Sequence, residues 1–525
     1  MRNSQEKKEN YICCTYDREW AGKELGYAGL TYKKDYLFAE DFFSLLDDWK
    51  GCRVAYKSYP GTLKGWIRAI VFGYAAKHGK VLPGDRHRMV LCGHYEEHAA
   101  DGRRKGLFLT SMAKKRFYLA CFLGGLAEML SQISARRKDY KKYDYICFDA
   151  VGDALRFRKA HPSIEKKVIT VDELRAHTMA SLYMKAVYFD RRQNGCHCDV
   201  PFRKLWIGTG GMSRMCDCPD FLEVGFGNAG VTDLEDIWNS PLAKIIRLSV
   251  INRTYTFCAR ELCGLLKSNK DQKELLARMD RAEEKEGPST LLVANDNVCN
   301  LHCPSCRKVI HAKNTEEEQM VAEAATEALI ASGWPDRADE LVLGGSGEVF
   351  LSANYKSFLY SGAGVRKDIL LMTNGTLFTP KEWTRLEGRY EHIRFSVSVD
   401  AATEETYKKV RCGGNFQRLM ENMQFLSQLR RERKVDYVAA NIIVQRANYR
   451  EIPDFIRWVK KMGFDSAVLS HIRNWGTYTE EVFEREVSMF DADGKMKPDL
   501  AKVLEDPICQ DPVVCRKWEE VTLQE

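Results

Sequence analysis

The sequence predicts an α/β protein whose C-terminal half is a parallel sheet, preceded by a small cysteine-rich domain and an N-terminal mixed α/β domain. Three observations carry this. From residue 291 onward, short apolar runs alternate with helical stretches, the pattern of repeated βα units. The cysteines are dense over 196–263 and again over 299–306. Residues 1–185 combine runs that read as buried strands with one long apolar stretch that reads as a helix.

In the C-terminal half the spacing predicts strands at 290–294, 341–343, 369–375, 393–400, 438–445 and 466–470. Helices fall between them, among others at 317–332, 417–429 and 452–462. Repeated units of this kind form either a barrel or a doubly wound sheet, and both put their chemistry at the C-terminal strand ends. The polar motifs stand there: a cysteine loop after the first strand, Glu348 after the second, Asn374 after the third and Asp400 after the fourth.

The N-terminal part is less informative. Strands are expected at 88–92 and 143–148, and a buried helix over 117–130. That run is too short to span a bilayer and contains Glu128, so no membrane segment is expected. Cys13, Cys14, Cys52, Cys92, Cys121 and Cys147 lack ligand spacing and read as buried structural residues. The domain boundaries read as 1–185 for the α/β region of unknown role and 186–268 for the cysteine-rich module. A helical linker follows at 269–290, with its amphipathic stretch at 271–281 and the breaker pair Gly287-Pro288. The βα region runs over 291–500. Residues 501–525 are a tail, in which Cys509 and Cys515 read as packing residues.

Composition sets the outer bounds. With 525 residues, two to four domains are expected. A net charge of +7 is small for this length, and the basic clusters at 103–105, 136–138 and 430–434 read as solvated faces, so a nucleic-acid partner is not expected. Eighteen cysteines behind a polar N-terminus without a signal-peptide core point to a reducing, cytoplasmic location. In that setting clustered cysteines serve metals or clusters more readily than disulfides.

Cys299, Cys303 and Cys306 form a C-x3-C-x2-C loop. A cubane iron–sulfur cluster has four irons and usually takes four cysteines. Three thiolates leave one iron open to a substrate or cofactor. The competing reading is structural zinc, which wants four ligands. His302 is an awkward fourth, because it lies between two of the cysteines on the same tight loop.

This loop resembles the cluster loop of the radical S-adenosylmethionine (radical SAM) superfamily, and the supporting pattern extends over 290–475. Gly344-Gly345-Ser346-Gly347-Glu348 resembles the family's glycine-rich motif after the second strand, with Val349 where Pro is frequent. Ser398-Val399-Asp400, then Glu405-Thr406-Tyr407 and Arg411-Cys412-Gly413-Gly414, resembles the fourth-strand segment of the peptide- and sugar-modifying branch. The resemblance implies a partial (β/α)6 TIM-like barrel with a [4Fe–4S] cluster on Cys299, Cys303 and Cys306. The open iron would bind S-adenosylmethionine. Gly344, Gly345, Gly347, Glu348, Asn374, Ser398 and Arg411 are then the cofactor-binding candidates: the glycines for close backbone approach, Ser398 and Arg411 for the ribose and carboxylate. The bland alternatives are surface ion pairs for Glu348 and Arg411, a plain strand residue for Ser398 and a turn residue for Asn374.

The second cysteine group lies in a stretch with Leu205-Trp206-Ile207, Gly210-Gly211, Gly227-Asn228, Ile237-Trp238-Asn239-Ser240, Arg247 and Cys258-x4-Cys263. It resembles the SPASM module, an auxiliary-cluster domain. Here it precedes the barrel, whereas it normally follows it. One auxiliary [4Fe–4S] cluster is implied, on Cys198, Cys216, Cys258 and Cys263, with Cys196 and Cys218 as alternates and four-cysteine zinc as the competing reading. The expected activity is reductive cleavage of S-adenosylmethionine and hydrogen abstraction from a peptide or small polar, sugar-like substrate. The electron would come from an external donor of flavodoxin or ferredoxin type. The alternative is an iron–sulfur electron carrier or redox sensor without turnover, which would not need the glycine cradle.

Overall fold

The computed structural model of the chain divides into two compact units, residues 1–206 with 210–288, and residues 207–209 with 289–525. It describes residues 11–13, 36–38, 54–56, 145–148, 150–162, 168–170, 173, 198–216, 226–251, 254, 255, 257, 258, 263, 287–365, 367–491 and 494–518. The expected strand at 88–92 and the expected helices at 117–130 and 271–281 lie outside the described residues, as do Cys196 and Cys218.

In the first unit, Val54–Tyr56, Tyr145–Phe148 and Val168–Thr170 pair as a parallel sheet. The helix Val151–Ala160 covers it. Ile146, Phe148, Ala154, Phe157 and Val168 form a core that also includes Val231, from the cysteine-rich stretch. Two segments far apart in sequence therefore share one apolar cluster.

In the second unit the strands are β1 (Thr290–Val293), β2 (Glu340–Leu343), β3 (Asp368–Thr373), β4 (His392–Ser398), β5 (Tyr437–Val444), β6 (Ser466–His471) and β7 (Val514–Arg516). Each pairs in parallel with the next in sequence. A doubly wound sheet reverses its strand order at a switch point. This one does not reverse, and the consecutive order is that of a barrel wall. All the C-terminal strand ends consequently lie along one rim.

The helices between the strands are α1 (Glu316–Ala331), α2 (Ala353–Tyr360), α3 (Pro380–Leu386), α4 (Glu404–Val410), α5 (Phe416–Arg431), α6 (Ile452–Met462) and α7 (Pro498–Val503). Local chemistry explains their ends. Thr315 and Glu318 form a reciprocal capping box that starts α1. Ile452, Phe455, Ile456, Val459 and Met462 are the buried stripe of α6, and Gly463 ends it at φ 72°.

Within the stretch 501–525, expected as a tail, Val514–Arg516 form β7 at the sheet edge. Cys515 is buried there against Ala439 and Val468, and Cys509 is buried as well. A strand of three residues carries too little periodicity to register in sequence. Among the described residues no helix is long and apolar enough to cross a membrane.

Candidate cluster and cofactor site

The cysteine loop begins where β1 ends, and its first residues, Asn295 and Asp296, are buried polar groups fastened by hydrogen bonds. Asn295 donates to Thr326 Oγ1 at 2.8 Å and to the Ala322 carbonyl at 3.0 Å. The Asp296 carboxylate accepts from Ser352 Oγ at 2.5 Å, Asn354 Nδ2 at 2.7 Å, the Val298 N–H at 3.0 Å and Asn314 Nδ2 at 3.1 Å. The Tyr355 hydroxyl donates to the Asp296 carbonyl at 2.8 Å. Asp296 therefore ties the loop entrance to α2 and to the segment before α1.

The three cysteines differ in exposure: Cys303 is buried, Cys299 half-buried and Cys306 exposed. The Cys306 N–H donates to the Cys303 carbonyl at 2.9 Å, and the Cys299 N–H to the His311 carbonyl at 2.8 Å. Burial pushes the Cys299 and Cys303 thiols up, and the Arg411 guanidinium pulls Cys303 back down. Cys303 interacts electrostatically with both Cys299 and Cys306, so the thiols share one patch. Among the described residues no three Cys, His, Asp or Glu side chains gather around a single ion. A cubane does not require that, since each cysteine holds a different iron.

The glycine-rich loop after β2 lies against the cysteine loop. Glu348 N–H donates to the Val298 carbonyl at 2.8 Å, and Gly344 N–H to the Val293 carbonyl at 2.9 Å. A Cβ on Gly347 would lie 2.6 Å from the Val298 carbonyl oxygen and 2.7 Å from that of Asp296. Gly347 is thus the point where the two loops touch. Gly344 and Gly345 both have φ near +110°, but they face different surroundings. A Cβ on Gly344 would meet the Met372 carbonyl at 2.5 Å, whereas Gly345 has only Met372 Sδ, at 3.9 Å. Of the two, Gly345 is the one with open space beside it.

Arg307, which the sequence reading passed over, joins the loops. Its Nη1 donates to the Asn297 carbonyl at 2.7 Å, and its Nη2 to the Ser346 carbonyl at 2.8 Å and to Cys306 Sγ at 3.5 Å. The available signal was its place directly after the third cysteine.

Glu348 is not a surface ion-pair residue; it is 1% exposed. Its carboxyl accepts from Thr373 Oγ1 at 2.6 Å, the Asn374 N–H at 2.8 Å and the Phe350 N–H at 3.2 Å. It holds the ends of β2 and β3 together, and burial pushes its pKa up. Asn374 is a turn residue and more. Its Oδ1 accepts from the Thr376 N–H at 3.0 Å, while its Nδ2 donates to Asn300 Oδ1 at 3.0 Å and to Cys299 Sγ at 3.8 Å.

Ser398 ends β4 half-buried, in register with Asn441 of β5. Asp400 follows with φ 65°, a left-handed conformation that Asp tolerates better than most residues. Arg411 is no surface pair either. Its Nη2 lies 2.7 Å from Asp400 Oδ2, with the two side chains 13% and 5% exposed. Its Nη1 donates to Cys303 Sγ at 3.7 Å.

These residues fit a cluster with a bound cofactor. The donor set is three thiols on one loop, and Gly345 leaves backbone open beside it. Two buried donors, Arg411 Nε and the Tyr407 hydroxyl, have no hydrogen-bond partner, and their residues lie one helical turn apart, with the Arg411 N–H on the Tyr407 carbonyl at 2.7 Å. Buried unpaired donors are uncommon in folded proteins, and two together suit a ligand rich in acceptors.

The other cysteine group lies in the first unit. Burial pushes the Cys198 thiol well up, and the neighbouring Cys216 and Cys263 push it further. The Cys258 N–H donates to the Tyr255 carbonyl at 2.9 Å, and Tyr255 has φ 47°. The residues around them explain their motif. Asn228 Nδ2 donates to the Gly210 carbonyl, and Asn228 Oδ1 accepts from the Gly230 N–H at 3.0 Å. A Cβ on Gly211 would lie 2.7 Å from Asn228 Oδ1. Arg247 stacks 4.2 Å over the Trp238 ring and donates to the Pro201 carbonyl at 3.0 Å.

Comparison with known proteins agrees with this layout. Residues 297–459 match the family model of the Radical SAM superfamily. Residues 196–264 match that of SPASM, an iron–sulfur cluster-binding domain. No curated protein matches the sequence. Among solved structures the chain is similar to Streptococcus suis SuiB bound to S-adenosylmethionine, at 12% identity over 55% of this chain and 66% of that one, with a TM-score of 0.31. It is also similar to TYW1 with a lysine-pyruvate adduct bound, at 17% identity over 35% and 64%, with a TM-score of 0.26. A third is native anSMEcpe with bound AdoMet, at 17% identity over 34% and 50%, with a TM-score of 0.26. The chain spans less than two thirds of the length of each of these structures. The Radical SAM domain, that of an enzyme, implies a [4Fe–4S] cluster with S-adenosylmethionine, and the SPASM domain implies auxiliary iron–sulfur chemistry. The chain therefore carries a radical SAM domain, preceded by an iron–sulfur cluster-binding SPASM domain.

Proposed function

We propose that this chain is a radical SAM enzyme acting on a peptide or a small polar, sugar-like substrate. Cys299, Cys303 and Cys306 would hold the [4Fe–4S] cluster. When bound and reduced, such a cluster would supply the electron for reductive cleavage of S-adenosylmethionine and so for hydrogen abstraction from substrate. The observation that supports this most is the fastening of the cysteine loop to the glycine-rich loop through Arg307, Gly347 and Glu348 at the strand-end rim.

The protein's own residues do the positioning. Gly345 leaves backbone approachable, Asn374 sits against Cys299, and Arg411 and Tyr407 offer buried donors to an acceptor-rich ligand. A fixed arrangement of this kind aims a reactive group at one bond of the substrate. Cys198, Cys216, Cys258 and Cys263 would hold one auxiliary cluster. A flavodoxin- or ferredoxin-type donor would supply electrons, in the reducing cytoplasm suited to such thiols. An electron carrier without turnover has no use for the open face at Gly345 or the unpaired donors.

The test is anaerobic reconstitution with iron and sulfide, followed by reduction with S-adenosylmethionine present. The wild-type chain should form 5′-deoxyadenosine and Cys303→Ala should not. No 5′-deoxyadenosine from cluster-loaded protein under any reductant would sink the catalytic reading.

A further inference from the structure

Arg411 is committed to more than a passing ligand. Two of its three nitrogens are engaged by the protein itself: Nη2 by Asp400 at 2.7 Å and Nη1 by Cys303 Sγ at 3.7 Å. Asp400 is itself held from several sides. Its Oδ1 accepts from the Ile443 N–H at 2.7 Å, its carbonyl from Asn448 Nδ2 at 2.9 Å, and its N–H donates to the Asn441 carbonyl at 3.1 Å. Strand β5 and the turn after it thus fix Asp400 in its left-handed conformation, and Asp400 fixes the guanidinium over Cys303.

We propose that Arg411, anchored by Asp400, raises the reduction potential of the cluster on the 299–306 loop by donating to the Cys303 sulfur. This rests on the cluster assignment above. Reduction adds one electron and hence one negative charge to a cluster. A guanidinium stays protonated throughout the accessible pH range, and in a site this dry its field is weakly screened. A fixed positive charge and an N–H···S hydrogen bond both favour the more negative, reduced state. Hydrogen bonds to the sulfurs and local charge are established determinants of cluster potential. Cys303 is the buried member of the three, so it is the thiolate at which such a donor acts with least competition from water.

The experiment is a potentiometric titration of the reconstituted chain, followed by electron paramagnetic resonance, with S-adenosylmethionine absent. Leaving it out separates cluster tuning from cofactor binding. The auxiliary signal is removed beforehand with Cys198→Ser and Cys263→Ser together in every sample. Arg411→Met should shift the reduced-to-oxidised ratio at fixed potential about tenfold toward oxidised, which is ~59 mV for a one-electron couple. Arg411→Lys, which keeps the charge but not the fork, should lie between Arg411→Met and wild type. Arg411→Met leaves Asp400 buried without its partner and can fail to fold. A second readout therefore uses the unsubstituted Arg411: pulsed measurements on the reduced cluster should show coupling to a guanidinium nitrogen, and Arg411→Lys should lose it.

Equal potentials in all three proteins, or a higher potential in Arg411→Met than in wild type, would overturn the inference and leave the enzyme reading intact. So would the absence of nitrogen coupling in the reference protein. Failure to assemble any cluster on 299–306 would remove both.

Discussion

Arg307 Nη2 lies 2.8 Å from the Ser346 carbonyl. With its Nη1 on the Asn297 carbonyl, one guanidinium spans the cysteine loop and the glycine-rich loop. Hydrogen bonds from a charged group are worth about 1.5–3 kcal/mol each. Arg307→Ala should therefore weaken S-adenosylmethionine binding by at least ~10-fold, the equivalent of ~1.4 kcal/mol. Arg307→Lys should recover only part of it, because an ammonium cannot span two carbonyls in fixed geometry. Equilibrium dialysis on cluster-loaded protein checks this; unchanged affinity in Arg307→Ala would show that the loops hold together without it.

The glycines of the same loop should separate by role. Gly347→Ala puts a Cβ into two backbone carbonyls, and backbone cannot move aside cheaply. A cost of about 1–3 kcal/mol is expected, seen as a lower melting temperature and poor iron retention. Gly345→Ala has space but occupies the open face. It should retain its iron and bind S-adenosylmethionine several-fold more weakly. Gly388→Ala is the control: φ is +77° with nothing within 4 Å, so backbone strain of ~1–2 kcal/mol should appear with no effect on iron or cofactor.

The repeated βα units are legible in the sequence because each of the first six strands is a short apolar run with turn or helix signals on either side. The strand-end positions of Cys299, Glu348, Asn374 and Asp400 follow from the same pattern. What binds those ends together is less visible. Asp296 gathers partners from Ser352, Asn354 and Asn314, residues 18 to 58 positions away. No local period marks such contacts, since they exist only once α2 and the segment before α1 pack against the loop. Arg411 shows a similar limit. Its residue type suits a ligand carboxylate, but its partner in the fold, Asp400, is one of the protein's own.

Glu173 gives a prediction about pH. Its carboxyl is buried and accepts from the Thr170 N–H at 2.7 Å, from Thr232 Oγ1 and from the Asn228 N–H at 3.4 Å. Burial raises its pKa above the ordinary 4.5 in spite of those bonds. A raised carboxyl pKa means that the fold prefers the neutral acid. Its stabilising contribution is fully present below the unfolded pKa and is lost as pH rises through the folded one. Glu173→Gln mimics the neutral acid at every pH. Wild type should therefore lose melting temperature relative to Glu173→Gln as pH rises from 4.5 toward neutrality. A difference that stays flat, or that grows in favour of wild type, would contradict this.

The two cysteine groups should load iron independently. Cys299, Cys303 and Cys306 sit on one loop of the second unit, and Cys198, Cys216, Cys258 and Cys263 belong to the first. With a cubane at each site, the reconstituted chain should hold roughly eight irons. Triple replacement of Cys299, Cys303 and Cys306 by Ser should leave about four, and so should Cys198→Ser with Cys263→Ser. The spectra should differ in kind. Adding S-adenosylmethionine should perturb the signal of the 299–306 cluster, which keeps an iron open, and leave a fully ligated auxiliary cluster unchanged. About four irons in wild type, with zinc in the first unit, would replace the auxiliary cluster by a structural metal. An auxiliary signal that responds to S-adenosylmethionine would instead mean that one of its irons is open too, so that fewer than four of its cysteines serve as ligands.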